Sequence, residues 1–174
     1  MKIDRIKSKY YKESQYSTDQ PFLDLIHNNI YQSSKILDAG AGAGELFKYD
    51  IKSKVSEVVG VDLDTRVLTN PQLHRGVLTD LTNMPFENDY FNIIISRYTF
   101  EHIQEPKAFL TELRRILRPG GKIIFLTPNK WHYVALIARF TPHKFHQWFN
   151  RLRGRTEEDT FSTIYKLNSF SDLR

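Results

Sequence analysis

Three glycines at alternate positions, Gly40, Gly42 and Gly44, follow a short apolar run and leave little side chain beside the backbone. Such a loop lets a ligand approach the main chain closely and lets the chain adopt positive φ values. We expect a helix over 45–51, whose first turn would present unpaired N–H groups and a positive dipole end to that ligand. A glycine turn that binds nothing fits the same residues, so the loop alone does not decide between the two.

Two aspartates end the next two apolar runs. Asp62 follows the second run, and Asp80 takes the same place after the third. Because ligands bind at the carboxyl ends of parallel strands, both carboxylates should lie near the glycine loop. A carboxylate at the end of the second strand can accept hydrogen bonds from both ribose hydroxyls of an adenosine cofactor. The alternative for each aspartate is that it caps the helix that follows.

The acids that flank the glycine loop indicate which adenosine cofactor it suits. Asp38 precedes the loop and Glu45 follows it, and two negative charges there would repel the pyrophosphate of a dinucleotide. The G-x-G-x-G spacing also departs from the G-x-G-x-x-G of dinucleotide-binding loops. An ammonium and a sulfonium group would instead be attracted, which favours S-adenosylmethionine over NAD. An NAD-dependent oxidoreductase is therefore the less favoured alternative.

The elements that position these residues alternate between strands and helices. Apolar runs predict five strands, over 35–39, 57–62, 77–80, 91–96 and 122–127. Helical signals predict a helix that starts at Pro21 with Asp19 as its N-cap, and further helices over 45–51, 64–69 and 106–117. The alternation predicts an α/β fold, a doubly wound and mainly parallel sheet with helices on both faces.

Five segments of this framework resemble, in order and spacing, the motifs of class I, Rossmann-like, S-adenosylmethionine-dependent methyltransferases. The resemblance covers about 35–127 and is to the small-molecule group that includes ubiquinone and menaquinone biosynthesis enzymes. The segments are LDAGAGAG (37–44), VVGVD (58–62), DL (80–81) with MPF (84–86) and FN (91–92), SRYTFEH (96–102) and RPGG (118–121).

The resemblance implies that the glycine loop passes along the methionine part of the cofactor, with Asp38 near its amino group and with Ser96 and Arg97 beneath it. Asp62 would hold the ribose. The complete set of expected cofactor-binding residues is Asp38, Ala39, Gly40, Gly42, Gly44, Asp62, Leu63, Asp80, Leu81, Ser96 and Arg97.

The adenine end of the cofactor has its own expected contacts. The resemblance implies that Leu63 lies beside the adenine, that the Asp80 carboxylate accepts from the adenine amino group, and that the Leu81 backbone N–H donates to the ring.

Methyl transfer displaces a group from a methyl that the sulfonium already activates, so holding the nucleophile in line supplies much of the acceleration. If the acceptor must lose a proton, His102, beside Glu101, is the candidate base. Its alternative role is to cap or pack the next helix. His132, His143 and His146 could also face a substrate, and the last two could pair as metal ligands. No third ligand is evident, so no metal site is predicted.

The chain is expected to form one methyltransferase domain in three parts. Residues 1–34 form an N-terminal cap or lid and a helix, 35–127 the cofactor-binding core, and 128–174 a basic aromatic segment. Tyr10, Tyr11 and Tyr16 could close over the cofactor as a lid or pack on the sheet rim.

Cysteine is absent from the 174 residues, which excludes disulfides, thiolate metal sites and cysteine nucleophiles and fits a cytoplasmic protein. The sequence shows no signal peptide and no apolar run of about 18 residues that could cross a membrane.

Basic residues dominate the later part of a chain whose net charge is +5. Between Leu113 and Arg155 there are ten Lys or Arg and no Asp or Glu, and aromatic residues interleave with them over 131–155. A solvated basic face would account for the charge alone. We favour a substrate cap with an apolar pocket, then peripheral membrane contact, and we consider nucleic-acid binding the least favoured interpretation.

The family's sheet has seven strands, whereas this sequence predicts five. Strand five would therefore be an apolar edge. We expect either a truncated chain or a partner, such as a missing segment or a second subunit in a homo-oligomer, that covers this edge.

The expected function is methyl transfer to a small-molecule acceptor, with lipid-linked molecules among the candidates. The alternative is a truncated cofactor-binding domain without turnover.

Overall fold

The computed structural model describes residues 19–45, 47–129 and 166–167. These residues form five strands, two α-helices and three short 3-10 helices. The strands are β1 (Lys35–Ala39), β2 (Glu57–Asp62), β3 (Arg75–Leu78), β4 (Phe91–Arg97) and β5 (Leu117–Leu126). The α-helices are α1 (Asp19–His27) and α2 (Pro106–Ile116), and the 3-10 helices span Lys52–Lys54, Thr65–Thr69 and Phe100–His102.

The five strands form one parallel sheet in the order β3-β2-β1-β4-β5. The chain starts at the central strand β1, moves outward through β2 and β3, and then crosses back to β4. This reversal leaves a crevice between the carboxyl ends of β1 and β4, where open α/β sheets bind ligands. The sheet confirms the predicted doubly wound α/β fold, and β5 is an edge strand among the described residues.

Two apolar clusters cover the two faces of the sheet. On one face, α1 buries Phe22 and Ile26 in a cluster with side chains of β1, β2, β4 and β5. On the other, α2 buries Phe109 and Leu113, and Leu167 returns to the same cluster. Because both faces are covered, β1, β2 and β4 read as nearly continuous apolar runs.

The strands nearest the site agree best with the sequence analysis. β1 and β2 have the predicted bounds, and β4 extends one residue further than predicted. The helix predicted over 106–117 ends at Ile116. The segment over 64–69 is a 3-10 helix, with Asp64 as its N-cap accepting from the Arg66 N–H. The predicted start of α1 is wrong, because Asp19 belongs to the helix.

The predicted helix over 45–51 is wrong for every described residue of that range. Gly44 and Asp50 have φ values of 72° and 51°, in the left-handed region that a right-handed helix does not use. The Gln72 side chain donates to the carbonyls of Gly44 and Phe47, which are not in a helix. The Gln72 side chain, which precedes β3, thus holds the chain directly after the glycine loop in a non-helical conformation.

The two outer strands depart from their predicted bounds. β3 lies over Arg75–Leu78, so Asp80 follows the strand by two residues instead of ending it. β5 begins at Leu117, before the predicted 122–127. Between its first two registered pairs β4 advances by two residues and β5 by five. The extra residues include Pro119 and Gly120, both exposed, so this turn lies within the strand as a bulge.

Several expectations concern residues outside the described ranges. They include the tyrosine lid, the basic aromatic segment over 131–155, and His132, His143 and His146. No helix among the described residues is long and apolar enough to cross a membrane.

An ion pair in α2 holds the loop over 84–89, which leads from the Asp80 segment into β4. The Arg115 guanidinium donates to the carbonyls of Met84 and Phe86 at 3.0 and 2.7 Å and to the Glu112 carboxylate at 2.7 and 2.8 Å. Glu112 also accepts from the Met84 N–H at 2.7 Å. These bonds satisfy the polar groups of an otherwise irregular loop.

We predict that Arg115→Ala lowers the free energy of unfolding by about 2–4 kcal/mol, because it removes the cation that pairs with the buried Glu112 and the donors of two loop carbonyls. The measurement is urea unfolding, with Arg114→Ala as the matched control. Arg114 is the exposed neighbour in the same helix. Equal stability changes in the two variants would contradict the prediction.

Candidate functional site

The glycine loop folds over the end of β2. The N–H groups of Gly40 and Ala41 donate to the Val61 carbonyl at 2.8 and 3.2 Å, and the Gly42 N–H donates to Asp62 Oδ2 at 2.8 Å. Gly40 has a φ of 82°, and a Cβ at this position would overlap the Thr99 side chain. The loop therefore requires glycine at 40 to pass between β2 and the end of β4.

Asp62 lies at the centre of this arrangement. Its Oδ1 accepts from the Asp64 N–H at 2.9 Å while Oδ2 holds the Gly42 N–H. Each oxygen keeps a further lone pair for a ligand. A Cβ on Gly42 would meet nothing nearer than Asp62 Oδ2, at 4.0 Å, so the space between the loop and this carboxylate is open.

Asp38 is a buried carboxyl group beside Asp62. Asp38 is 2% exposed. Its Oδ1 is buried and has no hydrogen-bond partner among the described residues. Burial, with a smaller effect from the charge of Asp62, raises the pKa of Asp38 to about 7, against the opposing effect of a hydrogen bond with Tyr49. A buried oxygen of this kind is stabilised by a cationic donor, because a buried charge needs a partner.

The end of β4 holds the end of β1. The Ser96 hydroxyl donates to the Ala39 carbonyl at 2.8 Å, and the Thr99 hydroxyl donates to the same oxygen at 3.2 Å. Ser96 is fully buried, so its hydroxyl serves the backbone of β1 and lies directly under the glycine loop.

Arg97 joins three segments around the crevice. Its guanidinium donates to the Asp19 carboxylate of α1 at 3.1 Å. It also lies over the ring of Phe47 at 4.2 Å and over the ring of Tyr98 at 4.6 Å, distances that suit cation–π attraction. Burial and the charge of Asp38 raise the pKa of Tyr49, and the charge of Arg97 opposes them.

The residues expected at the adenine end are less closely gathered. The Thr79 N–H donates to the Asp62 carbonyl at 3.1 Å, which ties the ends of β2 and β3. Asp80 is exposed, and its Oδ1 accepts from the N–H and hydroxyl of Thr82, both at 2.7 Å, so it caps a turn. Leu81 is buried in the core, whereas Leu63 is 70% exposed at the end of β2.

His102 ends the 3-10 helix that follows β4, and its N–H donates to the Thr99 carbonyl at 2.9 Å. Its neighbour Glu101 is buried and accepts from the Thr127 hydroxyl at 3.0 Å. Burial raises the pKa of Glu101. The pair therefore lies where the ends of β4 and β5 meet, and the catalytic role of His102 stays a prediction.

Three polar residues of the site were not anticipated from the sequence. Tyr49 bonds to Asp38, while Asn70 and Gln72 bind the carbonyls of the glycine loop and the chain after it. Tyr49 fell in the mispredicted helix, and the other two flank Pro71 in a loop without periodicity. No local signal distinguishes them from ordinary turn residues.

The described part of the chain contains no group of three or more His, Asp or Glu side chains that could hold a metal ion. The site is thus built from a glycine loop, two carboxylates and one guanidinium.

Comparison with known proteins agrees with this geometry. The profile of the methyltransferase domain family matches residues 37–125, which is just over half of the 174 residues. The chain belongs to this class I methyltransferase family. The match runs from β1 to β5 and contains the glycine loop, the aspartates that end β2 and follow β3, and the segment after β4. It confirms the resemblance identified from the five sequence segments.

Curated relatives include enzymes of quinone biosynthesis. The chain is similar to the ubiquinone/menaquinone biosynthesis C-methyltransferase of Burkholderia vietnamiensis, with 30% identity over 112 residues that cover 59% of this chain and 46% of the relative. It is also similar to the ubiquinone biosynthesis O-methyltransferase of Cereibacter sphaeroides, with 28% identity over 134 residues that cover 68% of this chain and 54% of the relative. The chain spans about half the length of these curated relatives.

Solved structures show the same fold. The match to the YcgJ protein of Bacillus subtilis covers 77% of this chain and 59% of the YcgJ chain, with a TM-score of 0.57 and 23% identity. An S-adenosylmethionine-dependent methyltransferase of Mesorhizobium loti matches 65% of this chain and 55% of its own, with a TM-score of 0.55 and 21% identity. At these identities the likeness concerns the fold alone.

Asp38 should make stability depend on pH. Because its folded-state pKa of about 7 lies above the ordinary value of 3.8, the folded chain binds the proton more tightly than the unfolded chain. Its contribution to stability therefore falls as the pH rises from about 4 to about 7. We predict that Asp38→Asn raises the free energy of unfolding by about 2–4 kcal/mol at pH 8 and changes it little at pH 4.

The measurement is urea unfolding of both proteins across this pH range. Asp24→Asn, at an exposed position of α1, is the matched control and should show no such pH dependence. A gain in Asp38→Asn that is the same at pH 4 and pH 8 would contradict the buried, protonated carboxyl group.

Proposed function

We propose that this chain binds S-adenosylmethionine at the carboxyl ends of β1, β2 and β4 and transfers its methyl group to a small-molecule acceptor. The observation that supports it most directly is the buried, unpartnered Oδ1 of Asp38 beside an open glycine loop and the Asp62 carboxylate. Family membership supports the reaction class. The chain spans about half the length of its curated relatives, so methyl transfer by this chain is part of the proposal.

The residues present fit a ligand with a cationic amino-acid end. Asp38 Oδ1 would accept from the ligand ammonium group, which would supply the missing partner of a buried carboxylate. Arg97, at the end of β4, would offer the complementary charge to the ligand carboxylate. The carboxylates of Asp38 and Asp62 would oppose a pyrophosphate at this place, which argues against a dinucleotide.

The adenosine end of the ligand would lie along the end of β2. Asp62 is already oriented by two backbone N–H groups, so its free lone pairs can accept from the ribose hydroxyls without further ordering. Leu63, which is largely exposed, would offer an apolar surface to the adenine. Asp80 and the Leu81 N–H complete the proposed adenine contacts, with Asp80 keeping its turn bond to Thr82.

S-adenosylmethionine supplies a methyl group that its sulfonium has already activated. The chain's own task is then to hold the ligand and the acceptor in line, which accounts for much of the acceleration in reactions of this type. The rigid support of Ala39 by Ser96 and Thr99 fits that task, because it fixes the floor of the loop. If the acceptor loses a proton, His102 would receive it at the junction of β4 and β5.

The acceptor class follows from the relatives. Since curated relatives act in ubiquinone and menaquinone biosynthesis, intermediates of those routes are the first acceptors to test, and some of them are lipid-linked. The acceptor atom remains a choice between carbon and oxygen, because relatives of both kinds match the chain at similar identity.

The proposal predicts micromolar binding of S-adenosylhomocysteine and no binding of NADH in a calorimetric titration of the 174-residue chain. Asp62→Ala should weaken binding by about 1.5–3 kcal/mol, the effect of removing charge-assisted hydrogen bonds. Asp24→Ala is the matched control and should bind like the unaltered chain. Failure of S-adenosylhomocysteine to bind a cooperatively folded chain would overturn the proposed site.

The His102 assignment predicts that His102→Ala lowers kcat for a phenolic acceptor by about 100-fold or more, within the range typical of general-base catalysis. Cofactor affinity should not change. The assay follows transfer of a labelled methyl group, first with quinone-biosynthesis intermediates. His27→Ala, in the last turn of α1, is the control. Full activity of the His102 variant would remove it from the reaction.

A further inference from the structure

The side-chain amides of Asn70 and Gln72 bind the backbone in and directly after the glycine loop, where a helix was expected over 45–51. They come from the turn between the 3-10 helix Thr65–Thr69 and β3. Asn70, which is 7% exposed, donates from Nδ2 to the carbonyls of Ala41 and Gly42 at 3.2 and 3.1 Å. The loop is thus held from one side by a buried amide.

Asn70 is itself held in place by its own turn. Its Oδ1 accepts from the Gln72 N–H at 2.9 Å, and a Cβ on Gly44 would overlap the Asn70 amide. Gln72 extends the contact, since its Oε1 accepts from the Tyr49 N–H at 2.9 Å. The amide of Asn70 therefore has one orientation, in which both of its donors face the loop.

The planar peptide unit carries this orientation to the ligand side. The Ala41 carbonyl and the Gly42 N–H belong to one trans peptide group, so they point in opposite directions. With the carbonyl held by Asn70, the N–H points to Asp62 Oδ2, 2.8 Å away. The same argument applied to the Gly42 carbonyl turns the Ala43 N–H away from Asn70.

We propose that Asn70 is a positioning residue for the amino-acid part of the cofactor: by holding the Ala41 and Gly42 carbonyls it fixes the loop backbone along which that part would pass. Asp62, which would hold the ribose, keeps its own bond from the Asp64 N–H. The inference rests on the proposed function and goes beyond it, because Asn70 itself touches the loop and not the ligand. It assigns a role to a residue that the family motifs in this sequence do not include.

A choice of two ligands separates positioning from general structural support. S-adenosylhomocysteine contains the amino-acid part, whereas 5′-methylthioadenosine keeps the adenosine and the sulfur but lacks it. A loop that is misoriented between Ala41 and Ala43 should weaken the first ligand selectively. A loss of overall folding should weaken both ligands in proportion.

The experiment titrates both ligands calorimetrically into the unaltered chain, Asn70→Asp and Asn28→Asp. Asn70→Asp keeps the size and the acceptor of the side chain but removes the donor and adds a charge that repels the carbonyls. Asn28→Asp makes the same change at an exposed position after α1. If Asn70→Asp does not fold, Asn70→Ser, which removes the amide without adding charge, is read by the same criteria.

We expect Asn70→Asp to bind S-adenosylhomocysteine on the order of tenfold more weakly, as when hydrogen bonds worth about 1.4 kcal/mol are lost. Binding of 5′-methylthioadenosine should change less than about threefold, and Asn28→Asp should match the unaltered chain. Equal losses for both ligands, no loss for either, or failure of both Asn70 variants to fold would overturn the positioning role. If the unaltered chain binds neither ligand, the proposed function itself fails, and the inference with it.

Discussion

The contact on which the rest of this site depends is the 2.8 Å hydrogen bond between the Gly42 N–H and Asp62 Oδ2. It joins the loop after β1 to the end of β2, at a residue whose φ of 51° is a conformation that glycine adopts readily. The parallel register of β1 and β2 brings Ala39 opposite Val61, so the loop begins level with the last residues of β2. The order of the strands thus places the glycine loop and the second-strand carboxylate at one point, before any ligand is considered.

A second constraint is the charge of the pocket. Asp38 is the penultimate residue of β1 and Asp62 ends the adjacent β2, and burial keeps water from the first of them, so the pocket presents two carboxyl groups. Such a pocket favours a cation over an anion. Glycine loops that bind dinucleotides place a pyrophosphate at the start of a helix. Here the described residues directly after the loop, 45 and 47–51, form no helix. Both the charge and the backbone therefore differ from those of a dinucleotide site.

The features that the sequence predicted well are those that depend on local pattern. β1 and β2 are apolar on both faces and carry an aspartate in one of their last two positions, and their bounds were predicted without error. The segment after Gly44 was predicted wrongly because its conformation depends on Gln72, which is distant along the chain and carries no periodic signal. Asp80 lies beyond its strand because β3 is only four residues long and is an edge strand of the described sheet, where a weak apolar run does not define its ends.

The central claim is that the ammonium group of the cofactor pairs with Asp38 while its ribose lies on Asp62. The most direct measurement is a crystal structure of the chain with S-adenosylhomocysteine. The account predicts the ligand nitrogen within about 3 Å of Asp38 Oδ1, a usual hydrogen-bond distance, and both ribose hydroxyls on the Asp62 carboxylate. A ligand bound elsewhere, or one whose amino group lies away from Asp38, would contradict it.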